Sequence, residues 1–208
     1  MNNLIAEAWN QIWKNNECEN ESLGKELKEI EKAYSSIGRY YHNLDHITNM
    51  LKLSTVYSYA IEDIKTLQLA VFYHDIVYSS KRKDNEEKSA LYAAKRLKNL
   101  DYENSLIEKC QQFILATKLH NNTLDNKDLD FLLDFDLELL SAPWQIYFDY
   151  TTKIRKEYSF YPDLVYKPGR KKVLEHFLKM DNIYKTHEFQ EKSEFRAKEN
   201  LSKELEML

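Results

Sequence analysis

The stretch "RYYHNLDHI", Arg39 to Ile47, carries two of the chain's six histidines, His42 and His46, four residues apart. On a helix that spacing stacks two imidazoles on one side, and Met50 and Leu53 continue the face, so both rings can reach one object. A second polar pair, His74 and Asp75, interrupts the otherwise uncharged run "LQLAVFYHDIVY". Burying an unpartnered carboxylate there would cost several kcal/mol, so Asp75 calls for a cation or a strong donor. Adjacent helical residues diverge by roughly 100°, so the pair shares a partner only if it lies off the helix flank. Further on, Leu129, Leu132, Leu133, Asp136, Leu137 and Leu140 form one stripe whose only polar member is Asp136, while Asp134 faces elsewhere. Leu106, Cys110, Phe113 and Thr117 make a similar stripe that His120 extends at the helix end.

Each of these residues has a plain explanation when taken alone. A lone His on an apolar face is commonly a hydrogen-bonded core residue, and one buried Asp can cap a helix or pair with an Arg. Together, His46, His74, Asp75 and Asp136 supply imidazoles and carboxylates in a mixed nitrogen and oxygen set that suits a divalent first-row metal or magnesium. On spacing alone the two readings stand level. His176 and His187 lie in lysine-rich segments and read as structural or solvated. Trp9, Trp13 and Trp144 read as core, and the 15 tyrosines as packing residues whose hydroxyls reach the surface.

The elements that must position these groups follow from apolar spacing. Leu4, Ile5, Ala8, Trp9, Ile12 and Trp13 recur at helical intervals, as do Leu23, Leu27, Ile30, Tyr34 and Ile37. A third helix is predicted over about 43–57 and a fourth over about 62–78, the latter apolar nearly all round and so expected in the middle of the domain. The charged loop "SSKRKDNEEK" leads into a helix over about 85–97. Further helices are predicted near 103–119, 127–140, 144–158, 170–180 and 188–208. The stretch "SFYPDLVYKPG" holds two of the three prolines and reads as the one long irregular segment.

Three Gly and three Pro leave few positions for tight turns, which disfavours a sheet-rich fold. An all-α helical bundle is expected, as a single domain over 1–208 with the helices of 1–37 packed on its core. A net charge of -4, with both signs interspersed, offers no broad positive surface for duplex nucleic acid. Cys18 and Cys110 lack C-x-x-C spacing, which suits free thiols in a reducing compartment. The opening "MNNLIAEAWNQIW" lacks the continuous apolar region of a signal peptide. No uncharged run approaches the ~20 residues that a membrane span requires, so a cytoplasmic location is expected.

At the residues singled out above, the sequence resembles the HD-domain superfamily of metal-dependent phosphohydrolases. That family's pattern is a His, an adjacent His-Asp pair on a central helix, and a more distant Asp; these look like His46, His74 with Asp75, and Asp136. The blocks "RYYHNLDHI", "YHDIVY", "DNEEKSA", "TKLH", "DFDLELL", "IRKEYSF", "GRKKVLEHFL" and "RAKENLSKEL" are similar to those of a bacterial group known as predicted metal-dependent HD phosphohydrolases. They cover most of the chain from Arg39 onward. The resemblance implies an HD-type helical bundle that hydrolyses a phosphate ester, at family level a nucleotide. His46, His74, Asp75 and Asp136 would hold a divalent metal, with Asp75 bridging ion and water. Some superfamily members keep the metal site as non-catalytic nucleotide-binding regulators, which is the alternative reading.

Around these ligands, Glu86 opens the helix after the charged loop and is a candidate general acid/base. His42 and His120 are candidates for contacting substrate or a second ion. Arg39, Arg155 and Arg170 sit in or beside family-like blocks and could present the forked donor that phosphate favours, with salt bridges as the competing reading. Manganese, iron, cobalt, nickel, magnesium and zinc are not distinguished by such ligands. The expected partner is a small phosphorylated substrate, and self-association is left open.

Overall fold

In the computed structural model, which describes residues 3–14 and 19–208, the regular elements are helical throughout. In chain order they are α1 (Asn3–Trp13), α2 (Asn20–Tyr34), α3 (Leu44–Val56), α4 (Ile64–Tyr73), α5 (Asn85–Asn99), α6 (Asn104–Ala116), α7 (Lys127–Leu137), α8 (Trp144–Glu157), α9 (Asp163–Leu178) and α10 (His187–Met207). Short 3₁₀ turns lie at Ser58–Ala60 and Glu138–Ser141. No strand occurs among the described residues, as the scarcity of turn-forming residues implies. Among those residues no helix is long and apolar enough to cross a membrane. Cys18 lies outside the described residues, and Cys110 is a buried free thiol.

The chain divides into two compact units, Met1–Phe135 and Asp136–Leu208. The first is organised around α4, which packs against α1, α3, α5 and α6. Every residue of α4 from Thr66 to Tyr73 is buried, because a helix apolar on all sides has no face to give to water. Asp63 caps it, its side chain accepting from the Thr66 N–H at 3.1 Å. The Trp9 ring of α1 meets Phe72 edge-on at 5.2 Å, and Glu26 of α2 accepts from the Tyr73 hydroxyl at 3.0 Å while pairing with Arg96 of α5.

The sequence places the end of α4 five residues too late, at Tyr78 rather than Tyr73. The residues after Tyr73 stay apolar, but side chains capture their backbone groups. The Asp75 N–H donates to the Tyr34 hydroxyl at 3.2 Å, and the Val77 N–H donates to Ser89 Oγ at 3.1 Å. Two other helices also end earlier than their apolar spacing suggests. Ile37 lies beyond α2 and is fully exposed rather than on its apolar face. His120 lies beyond the end of α6, in the left-handed region at φ 48, so it does not extend that helix's stripe.

In the second unit, α10 packs on α9 and on the 3₁₀ turn, and α8 also contacts that turn. Asn200 of α10 donates to the carbonyls of Leu140 and Ala142 at 2.8 and 2.9 Å, fastening helix to turn. Here the stretch read as irregular is largely helical: α9 starts at Asp163, and Pro168 sits inside it. Proline removes one N–H from a helix ladder, and the carbonyl that loses its partner belongs to Leu164, a residue 90% exposed. Water is available to that group, so the helix tolerates the ring.

Candidate metal centre

His46 lies in the first turn of α3, fixed by a side-chain cap. Asn43 is the N-cap, and its Oδ1 accepts from the N–H groups of Asp45 at 2.9 Å and His46 at 3.4 Å. His74 is the C-cap residue of α4, and its Nδ1 stands 2.9 Å from the Val71 carbonyl. Only a protonated Nδ1 can donate to that oxygen, so His74 turns the lone pair of its Nε2 outward. The Nε2 atoms of His46 and His74 are 3.2 Å apart, and both rings are buried.

Asp136 lies near the end of α7, on the last turn of a helix that begins at Lys127. The division between the units falls within this helix. His46, His74 and Asp136 each offer one ligand atom, and these atoms all lie within 4.8 Å of one another. Metal–imidazole bonds run about 2.0–2.1 Å, so two of them at tetrahedral or octahedral angles set their nitrogens roughly 2.8–3.4 Å apart. The observed imidazole separation falls in that interval. The donor set fits a divalent ion in chemistry as well as in spacing.

Asp75 belongs to the same cluster through His74. Its Oδ2 lies 3.3 Å from His74 Nε2 and 3.8 Å from His42 Nε2. Because the His74 proton is on Nδ1, the first of these distances brings two lone-pair acceptors face to face. A cation between them, or a second ring proton, resolves that arrangement. The early end of α4 removes the difficulty of adjacent helical residues diverging, since His74 ends the helix and Asp75 falls in the turn beyond it. His42 is brought to this cluster as well, stacked on Tyr78 with ring centroids 4.2 Å apart.

Glu86 lies in the first turn of α5, half-buried. Burial pushes its carboxyl above the usual carboxylate range, the negative charges of Asp75 and Glu87 add to that, and Lys118 works against it. Lys118 also pairs with Glu87 and donates to the Lys83 carbonyl at 2.8 Å, tying the stretch after α6 to the start of α5.

The three arginines are committed to protein acceptors. Arg39 gives Nη1 to the carbonyls of His42 and Asp75, and Nη2 to that of Ile76. Arg155, on α8, donates to the Asp163 carboxylate and to the carbonyls of Tyr158 and Tyr161, with its guanidinium over the Tyr166 ring. Arg170, on α9, forms a buried pair with Glu204, which also accepts from the Tyr147 hydroxyl. Both of these belong to the second unit.

Sequence reasoning passed over three residues of the first unit: Lys118, Tyr34, which accepts from the Asp75 N–H, and Tyr78, on which His42 rests. Tyr78 and Lys118 lay inside the family-like blocks "YHDIVY" and "TKLH", which was the available signal, while Tyr34 looked like any other apolar-face position. It also set Asp134 aside, yet this carboxyl is fully buried on α7 while Asp136 is only partly so. No protein-family model matches the chain, and no curated protein or solved structure is similar enough to be matched with it.

Proposed function

We propose that the chain is a metal-dependent phosphohydrolase that cleaves a phosphate ester, in keeping with the resemblance of its motifs to the HD-domain superfamily. The observation that carries this reading is the meeting of His46, His74 and Asp136, with ligand atoms within 4.8 Å of one another. When bound, a divalent ion supplies Lewis acidity toward a phosphoryl oxygen and makes water a stronger acid. The hydrogen bond to Val71 holds the His74 ring in the tautomer that leaves Nε2 as a ligand. Asp75 brings a second carboxylate to the same point, and His42 stands beside it as a group able to hold a proton at Nε2.

In the hydrolysis, a water oxygen forms the new bond to phosphorus, the ester P–O bond breaks, and the water's proton ends on the leaving oxygen. Glu86 is suited to carry that proton, because a carboxyl raised by burial is a better base than an ordinary one. The test is metal analysis of protein purified without chelator, followed by a hydrolysis screen over phosphomonoesters and nucleotides with each divalent metal added in turn. Wild type should bind metal and turn over at least one substrate, while His74→Ala and Asp136→Ala should do neither. Absence of any bound or bindable divalent ion sinks the reading; metal binding without turnover on any substrate moves the protein to the non-catalytic, nucleotide-binding alternative.

A further inference from the structure

We propose that Arg39 is a positioning residue of the proposed metal site, a forked clamp that fixes the two ligand-bearing segments against each other through their backbones. The inference rests on the metal reading above and gives Arg39 a different task from binding phosphate. His42 and His46 come from the segment 39–46, while His74 and Asp75 come from the turn after α4. One guanidinium joins them. Its Nη1 donates to the His42 carbonyl at 3.0 Å and to the Asp75 carbonyl at 2.8 Å, and its Nη2 donates to the Ile76 carbonyl at 3.0 Å.

The clamp is itself held. The guanidinium carbon lies 4.9 Å from the Tyr34 ring centroid and 5.4 Å from that of Tyr78. Tyr34 completes the grip, since its hydroxyl accepts the Asp75 N–H at 3.2 Å. Both backbone groups of Asp75 are therefore held, one by Tyr34 and the other by Arg39. With the backbone fixed, only the side-chain torsions remain to aim the carboxylate at His74 Nε2. Three carbonyls served from two nitrogens of one side chain call for the rigid fork of Arg and not the point charge of Lys. Gly38, at φ 94, provides the left-handed turn that delivers Arg39 to this place.

The sign of one measurement separates this role from the alternatives. Removing a positive charge beside a cation site should tighten metal binding if charge alone matters. Loss of a positioning residue should instead weaken it, by about 10–100-fold for groups that orient ligands from behind. The experiment is calorimetric titration of the full chain with manganese chloride, with far-UV circular dichroism and the thermal midpoint in chelator as controls for folding. Arg39→Met and Arg39→Lys should both bind Mn²⁺ about 10-fold or more weakly. Tyr34→Phe, which deletes only the hydroxyl, should show a smaller loss with the fold intact. Unchanged or tighter binding in Arg39→Met, or full rescue by Arg39→Lys, overturns the clamp. Should Arg39→Met fail to fold, Tyr34→Phe decides, and wild-type affinity there overturns the proposal. If wild type itself binds no Mn²⁺ or other divalent ion, the metal reading fails first and takes the clamp with it.

Discussion

His74 has a purpose for each ring nitrogen: Nδ1 faces the Val71 carbonyl, and Nε2 faces His46 and Asp75. That assignment could not be read from sequence, because composition shows a histidine and not its tautomer. What could be read was the intrusion of a His-Asp pair into an uncharged run. The same limit explains the arginines. A sequence marks Arg39 as a cation near a histidine, but whether its acceptor is a phosphate or three backbone carbonyls depends on where the chain turns. Glu86 yields a prediction at this scale. Burial raises its carboxyl above the unfolded value of about 4.3. The folded chain then holds a proton that the unfolded chain releases, so the stability tied to this group is complete below the unfolded pKa and is lost as pH rises through the folded one. In the presence of chelator, Glu86→Gln should be modestly more stable than wild type at neutral pH and lose that advantage in acid, as read from urea midpoints across pH. A gap independent of pH would show that the carboxyl's charge is not penalised by folding.

At the scale of elements, most helix bounds were legible to within about three residues, and the end of α4 and the start of α9 were not. The start of α3 falls where it was predicted; the structure shows Asn43 as its N-cap, and that cap serves the site directly by holding the His46 N–H. Asn43→Ala should cost about 1 kcal/mol of stability, measured by urea denaturation, and should also weaken metal binding because the first turn carries His46. A stability loss with unchanged affinity would separate the helix start from the site. The end of α4 was missed because hydrophobic periodicity reports burial, and Ile76 remains buried after the helix has stopped. The stop is made by Ser89 and Tyr34, which come from other helices and take the backbone groups that would have continued the ladder. The start of α9 was missed for the opposite reason. Pro168 and Gly169 looked like breakers, yet the carbonyl opposed to the proline lies on an exposed residue.

For the molecule as a whole, composition was enough to indicate an all-helical architecture, since three glycines cannot furnish a sheet's turns. The division into Met1–Phe135 and Asp136–Leu208 was not visible, because no Pro-rich or Gly-rich linker marks it and the boundary runs inside α7. The site gives a whole-molecule prediction through linkage. A ligand at 100 times its Kd stabilises the folded state by about 2.7 kcal/mol. At about 2–4 °C per kcal/mol for a chain of this size, saturating manganese should raise the thermal midpoint by roughly 5–10 °C. Scanning calorimetry with and without chelator would measure this, and the rise should vanish in His74→Ala.

The interior of the first unit also provides its own clock. Cys110 lies on α6, which packs against the fully buried α4, and has no exposed surface; burial pushes its thiol well above the usual range. Alkylation needs a thiolate in contact with reagent, so in a Cys18→Ser chain labelling should occur only during excursions that part α6 from the hub helix. The rate of modification would then count those openings directly, and any ion that locks His46 to His74 should slow the count.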